Sequence, residues 1–148
     1  GMRLLTLANF YSKTDQLDKS SMFYRKVLQL KADNVIALNN LAWLWRDTKP
    51  EAALKYAQQA VDQSKDSPLA LDTLAVVLLK NKETVKAQRT IDRALEKSPD
   101  NPSIKYHHAM INAAAGEKAK AKKYLTELLS GKEEFPERKD AEALLKTL

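Results

Sequence analysis

Alanine returns along this chain at a nearly constant interval. Ala8, Ala42, Ala75 and Ala109 are separated by 34, 33 and 34 residues. Two further ladders run beside it: Ser20, Ala53, Ala87 and Ala121, and Val27, Ala60, Ala94 and Leu128, both at 33, 34 and 34. A unit of this length cannot bury its apolar face alone, so successive units are expected to pack against one another. Between the rungs the apolar residues are spaced by three and four, with only 3 glycines and 5 prolines in the chain, so the units are helical.

The caps place the unit boundaries. Asn34, Ser67 and Asn101 are N-cap residue types, and the latter two precede Pro68 and Pro102. Proline suits the first helical turn, where its missing N–H has no bond to lose. The units then run over residues 1–34, 35–67, 68–101 and 102–134, each a helix, a tight turn and a second helix. All three ladders are short between Ala42 and Ala53, which predicts a one-residue deletion in the turn of the second unit. Thr48 and Glu51 in that turn have the spacing of a capping box.

The pattern resembles the tetratricopeptide repeat, whose signature runs W-x2-L-G-x2-Y, A-x3-F, A and P. The third unit fits it best, with Leu71, Leu74, Ala75 and Leu78, then Ala87, Ile91, Ala94 and Pro99. The first offers Leu4, Leu7, Ala8 and Tyr11, then Ser20, Tyr24 and Val27; the second offers Leu38, Leu41, Ala42 and Trp45, then Ala53, Ala57 and Ala60. Lys65 stands in the closing proline slot of the second unit, so that connection must turn by other means. The fourth unit departs most, with Lys105, His108 and Asn112 in slots that are apolar elsewhere. Its first helix is expected to bury Ile104, His108, Ile111 and Ala115 instead. The resemblance implies an all-α fold, a right-handed α-solenoid of about four units in one domain over 1–148. A C-terminal capping helix at about 136–147, opened by Pro136, is expected to cover the end of the stack with Ala141, Leu144, Leu145 and Leu148.

A narrower resemblance covers about residues 35–148, with FPERKDAEALLKTL as its most distinctive part. It is similar to the C-terminal end of the bacterial repeat lipoproteins associated with the PEP-CTERM and exosortase sorting system. That family is tied to export and exopolysaccharide production, and its members are far longer. The likeness implies a terminal fragment or short relative on the periplasmic side of the inner membrane, with a cytoplasmic location as the alternative. Gly1 before Met2 reads as the remnant of a removed tag.

Composition narrows the chemistry. With no cysteine, disulfides, thiolate catalysis and cysteine-bound metals are excluded. The formal charge of +6 comes mostly from lysine and is spread along the chain, from +3 over 1–34 and 0 over 35–67 to +1 over 68–101 and +2 over 102–134. A nucleic-acid reader would concentrate it and favour arginine, so no nucleic-acid partner is expected. Lys118, Lys120, Lys122 and Lys123 spread over more than one helical face. His107 and His108 are neighbours, about 100° apart on a helix, so they cannot hold one ion from a shared face. Neither a cofactor, a metal site nor an enzymatic activity is expected. His108 reads as a core histidine with a hydrogen-bond partner and His107 as a groove residue. No apolar run reaches the roughly 18 residues of a membrane span.

The resemblance to the tetratricopeptide repeat implies binding rather than chemistry, in a concave groove lined by the first helix of each unit. The face turned away from the buried stripe carries Leu5 and Asn9; Asn39, Asn40, Trp43 and Asp47; Asp72, Thr73 and Val76; and Tyr106, His107 and Met110. The two tryptophans, Trp43 and Trp45, lie about 200° apart on a helix. Trp45 takes the buried aromatic slot, leaving Trp43 to the groove or to packing on a neighbouring first helix. The leading reading is a scaffold for a protein or peptide; the alternatives are glycan contact during polysaccharide assembly, and a purely structural or oligomerising segment. Asn9 and Asn40 match the asparagine slots of repeats that clamp acidic chaperone C-termini, but Leu5, Leu69 and Thr73 stand where those repeats carry cations. Such binding is not expected.

Overall fold

The computed structural model describes residues 2–148; Gly1 lies outside them. Nine helices are present among the described residues, and no strand. The four pairs are α1 (Met2–Lys13) with α2 (Leu17–Leu30), α3 (Val35–Trp45) with α4 (Pro50–Gln63), α5 (Pro68–Lys80) with α6 (Thr84–Lys97), and α7 (Pro102–Ala114) with α8 (Lys118–Ser130). The last helix, α9 (Arg138–Thr147), packs on α8. The helices of a pair pack on each other, each second helix packs on the first helix that follows it, and α3 and α7 both touch α5. The first helices thus crowd together on one side, the inner face of an α-helical solenoid.

The alanine ladders are the reason the helices come so close. Ala8, Ala42, Ala75, Ala109, Ser20, Ala53, Ala87 and Ala121 are all fully buried. A methyl group at each crossing lets the backbones approach, and larger side chains fill the flanks. Ser20 fits the same slot because its hydroxyl donates to the Ala8 carbonyl at 2.8 Å, so no buried polar group is left over.

Three of the four caps form as the residue types dictate. Asn34 accepts from the Ala37 N–H at 2.9 Å, Ser67 from Ala70 at 3.2 Å and Asn101 from Ile104 at 3.1 Å. The capping box of the second unit does not form. The N-cap of α4 is Lys49, with no side-chain cap bond, and Thr48 lies one residue too early.

The deletion is also placed differently from the sequence expectation. The turns of units one, three and four each have three residues and close on a left-handed one: Asp15 (φ 58°), Lys82 (φ 63°) and Gly116 (φ 87°). In each, the next N–H returns to the helix: Gln16 to Tyr11, Glu83 to Leu78 and Glu117 to Asn112, at 2.8 to 2.9 Å. This is a Schellman closure. In unit two α3 stops at Trp45, earlier in the register, and four residues connect it to α4. The Lys49 N–H bonds the Trp45 carbonyl at 2.9 Å, and Lys49 itself is at φ −138°. The residue is lost from the helix end, and with it the left-handed closure. The connection after α4 turns instead through two consecutive left-handed residues, Lys65 (φ 54°) and Asp66 (φ 61°), in place of the missing proline.

Pro136 sits in a turn, and α9 begins two residues later at Arg138. Arg138 donates to the carbonyls of Leu129, Gly131 and Glu133, tying down a segment that makes no regular structure. Phe135 and Ala141 are buried with Ala109 and Leu125, and Leu144, Leu145 and Leu148 pack on them. The last helix therefore covers the end of unit four. Among the described residues no helix is long and apolar enough to cross a membrane.

Candidate peptide-binding groove

The inner face divides into a closed half and an open half. In the closed half, the His107 ring of α7 reaches the Asp72 carboxylate of α5, Nδ1 to Oδ1, at 2.8 Å. An ionised carboxylate only accepts, so Nδ1 carries the hydrogen. Trp43 of α3 packs against the imidazole, its ring centroid 5.6 Å from that of His107 and tilted by 57°. Tyr106 flanks the imidazole at 5.4 Å. Asp72 and His107 are only 8% and 5% exposed, and Thr73 and Val76 are buried too. These four were expected to be presented in the groove, and they are not. The cause is the close approach of α5 to α3 and α7, which leaves every residue from Ala70 through Leu78 of α5 buried. A carboxylate in such a helix needs a partner, and His107 supplies it.

An aspartate–histidine pair suggests a general base, but the observed bonding of His107 is to Asp72 alone, with no hydroxyl nucleophile hydrogen-bonded to the ring among the described residues. It is an interhelical tie. His108 behaves as its sequence position suggests: it is buried, its Nε2 lies 3.2 Å from Asp92 Oδ1, and its ring packs at 4.6 Å on Tyr124. Burial pushes its imidazole below the usual histidine range, against a smaller opposing pull from Asp92. Asn112 is buried as well, donating to the His108 carbonyl at 2.7 Å and accepting from Gln88 at 3.3 Å. Among the described residues no group of three potential ligands could hold a metal ion.

The open half is a pocket of about 200 Å³ between units one and two, lined by Asn9, Ser12, Lys13, Tyr24, Asn40, Trp43 and Leu44. Its floor is a short polar chain. The Tyr24 hydroxyl donates to Asn9 Oδ1 and accepts from Asn40 Nδ2 at 3.1 Å. Burial raises the Tyr24 phenol above its ordinary range, offset in part by Asn40 and Ser20, so it is a neutral donor. Trp43 forms one wall, half-buried, with the Arg46 guanidinium 4.1 Å from its ring centroid. Arg46 also donates to the Trp43 carbonyl at 2.7 Å.

The remaining predicted residues border this region without joining the pocket. Asn39 is half-buried, and its Oδ1 is shielded from solvent with no hydrogen-bond partner. Asp47 is exposed and paired with Lys80 at 2.9 Å, which holds its carboxyl below the usual range. Leu5, Tyr106 and Met110 are half-buried. Trp45 packs into the core beside Tyr56, with ring centroids 5.7 Å apart, but Lys49 covers its outer face and it stays half-buried rather than fully enclosed.

Sequence reasoning missed Lys13, Arg46 and the phenol of Tyr24. The first two had a signal, since Lys13 follows Asn9 by four and Arg46 follows Trp43 by three, which puts each on its neighbour's face. Tyr24 had none. It fills a core slot of the repeat and is buried, and only the packing shows its hydroxyl bonded to Asn9 and Asn40 at the base of the pocket.

Comparison with known proteins agrees with this architecture. Two family models, both described as tetratricopeptide repeat, match residues 44–111 and 4–34. Among solved structures, TTC0263, a thermophilic TPR protein of Thermus thermophilus, superposes with a TM-score of 0.86 at 14% identity, covering 99% of this chain and 79% of that one. MamA superposes at 0.71 with 20% identity, covering 95% and 81%. YrrB, described as a TPR protein with an unusual peptide-binding site, superposes at 0.69 with 19% identity, covering 97% and 73%. No curated protein matches the sequence.

Proposed function

Since the chain is built of tetratricopeptide repeats, we propose that it is a non-enzymatic scaffold that binds a peptide segment of a protein partner on its inner face. The observation that carries this reading is the pocket between units one and two, where a half-buried indole meets an amide, a phenol and a lysine. Trp43 offers apolar area at low entropic cost, a combination common at binding hot spots. Asn9 and Asn40 can pair with a peptide backbone, and Lys13 supplies a cation for an acidic side chain or a C-terminal carboxylate. The peptide-binding site described for YrrB, a structural relative, favours the same use of the fold. The neighbouring Trp43–His107–Asp72 contact holds the indole in place, so little ordering is left for the moment of binding.

The test is a selection of peptides from a displayed random library on the immobilised protein. Selected peptides are expected to change Trp43 fluorescence in a Trp45→Phe background. Trp43→Ala and Lys13→Glu should each weaken binding at least about tenfold, with the melting curve of the Lys13 variant unchanged. Peptides that hold equally well to both variants would place binding elsewhere. The narrower reading, service in a bacterial export and exopolysaccharide system, rests on the resemblance of residues 35–148. The full reading frame and its neighbouring genes test it.

A further inference from the structure

The outer face carries a second, larger groove of about 740 Å³ between α4 and α6. It exists because the second helices of units two and three splay apart over α5, which meets both of them below. Leu54 of α4 and Leu74 and Leu78 of α5 contribute to its floor. Lys55 stands on the α4 wall, and Lys86, Arg89 and Arg93 stand on the α6 wall. The last three follow one another at three and four residues, so they share one helical face over about 10 Å.

Among the described residues, two of these four cations are held in ion pairs and two are not. Lys86 is paired with Glu83 at 3.0 Å and Arg93 with Asp66 at 2.8 Å, both at the groove's margin. Lys55 and Arg89 are exposed, and neither takes part in an ion pair among the described residues. Glu83 is the one carboxylate in the lining among those residues. Cations on both walls above leucines and the aliphatic stems of the same lysines and arginines select by charge and by shape together. The complement is an amphipathic helix with an apolar stripe flanked by carboxylates, lying across α4 and α6 as a third packed helix. Single-stranded nucleic acid fits less well, because no aromatic ring lines the groove for bases to stack on.

We propose that the groove between α4 and α6 docks an acidic amphipathic helix of a protein partner, with Lys55 and Arg89 as its main charge contacts. This surface is separate from the inner-face pocket, so either reading can fail alone. The test uses a fluorescent synthetic helical peptide of about 18 residues, with leucines at three and four spacing and glutamates flanking them. A scrambled peptide of the same composition and a single-stranded oligonucleotide of equal charge serve as competitors, all followed by anisotropy.

The intact chain should bind the amphipathic peptide at least about tenfold tighter than the scrambled one, and binding should fall as salt screens the charges. The double charge reversal Lys55→Glu with Arg89→Glu should weaken it a further tenfold or more, roughly. Circular dichroism melts of the two proteins should coincide, since both positions are exposed. Lys122→Glu, exposed on α8, should change nothing. Equal affinity for the scrambled peptide, undiminished affinity after the double reversal, or tighter binding of the oligonucleotide would each overturn the proposal.

Discussion

The Asp72 carboxylate and the His107 ring, 35 residues apart in sequence, meet at 2.8 Å in a nearly solvent-free space between α5 and α7. One contact joins the third unit to the fourth and also supports Trp43 of the second. The inner face is therefore braced at its centre and open toward its N-terminal half.

That bond should be expensive to break and cheaper to replace. Asp72→Ala leaves a buried imidazole unpartnered and should cost roughly 3 kcal/mol. Asp72→Leu combined with His107→Leu should cost less than the two single changes added together, by about 1–3 kcal/mol. Urea unfolding of the four proteins in the cycle measures the coupling, and simple additivity would show that the contact contributes nothing beyond packing.

Stability should fall on mild acidification, and His108 should account for part of the fall. Burial lowers its folded-state affinity for protons, whereas in the unfolded chain it titrates near about 6.5. Below that pH the unfolded state takes up a proton that the native state resists. The stabilisation is thus complete above about pH 6.5 and is lost progressively as pH falls below it. The urea midpoint of His108→Gln, compared with the unchanged protein at about pH 7.5 and about pH 5.5, should show a shallower decline.

Asn39 carries an acceptor that is buried without a partner. Asn39→Leu should leave the free protein as stable or stabilise it by up to about 1 kcal/mol. If a bound peptide supplies the missing donor, the same variant should bind selected peptides more weakly. Thermal melts and titration of one preparation read both effects.

The caps separate true helix starts from an apparent one. Asn34→Ala and Asn101→Ala should each cost about 1 kcal/mol, since each removes an observed bond to a backbone N–H. Thr48→Ala should be within about 0.5 kcal/mol of neutral, because α4 is capped one residue later without a side-chain bond. Equal losses at all three positions would restore the capping box at Thr48 and Glu51.

The ladders of Ala8, Ser20 and Val27 were sufficient to place eight helices in four pairs. Small residues at a fixed period dictate close crossings wherever they recur, and the caps at Asn34, Ser67 and Asn101 act within three residues of themselves. The asparagines and Trp43 of the open pocket were legible for the same reason, as one face of a helix whose buried face was known. The turn of unit two was misplaced because a deletion can be absorbed by a helix end or by a loop at the same register. The left-handed closures at Asp15, Lys82 and Gly116 become evident only from the backbone angles.

What the sequence by itself determined is therefore the repeat, its register and its buried stripe, all consequences of local periodicity. The tertiary structure decided which groove residues remain in the groove. Asp72 and His107 sit on the inward-facing side of their helices as their register requires, yet α3, α5 and α7 pack so closely that the two bury each other. It also decided where charge collects. Residues 35–67 sum to 0 and 68–101 to +1, but stacking the two units sets Lys55 across from Lys86, Arg89 and Arg93. Charge counted along a chain averages over its length, whereas a groove gathers side chains from segments that only packing brings face to face.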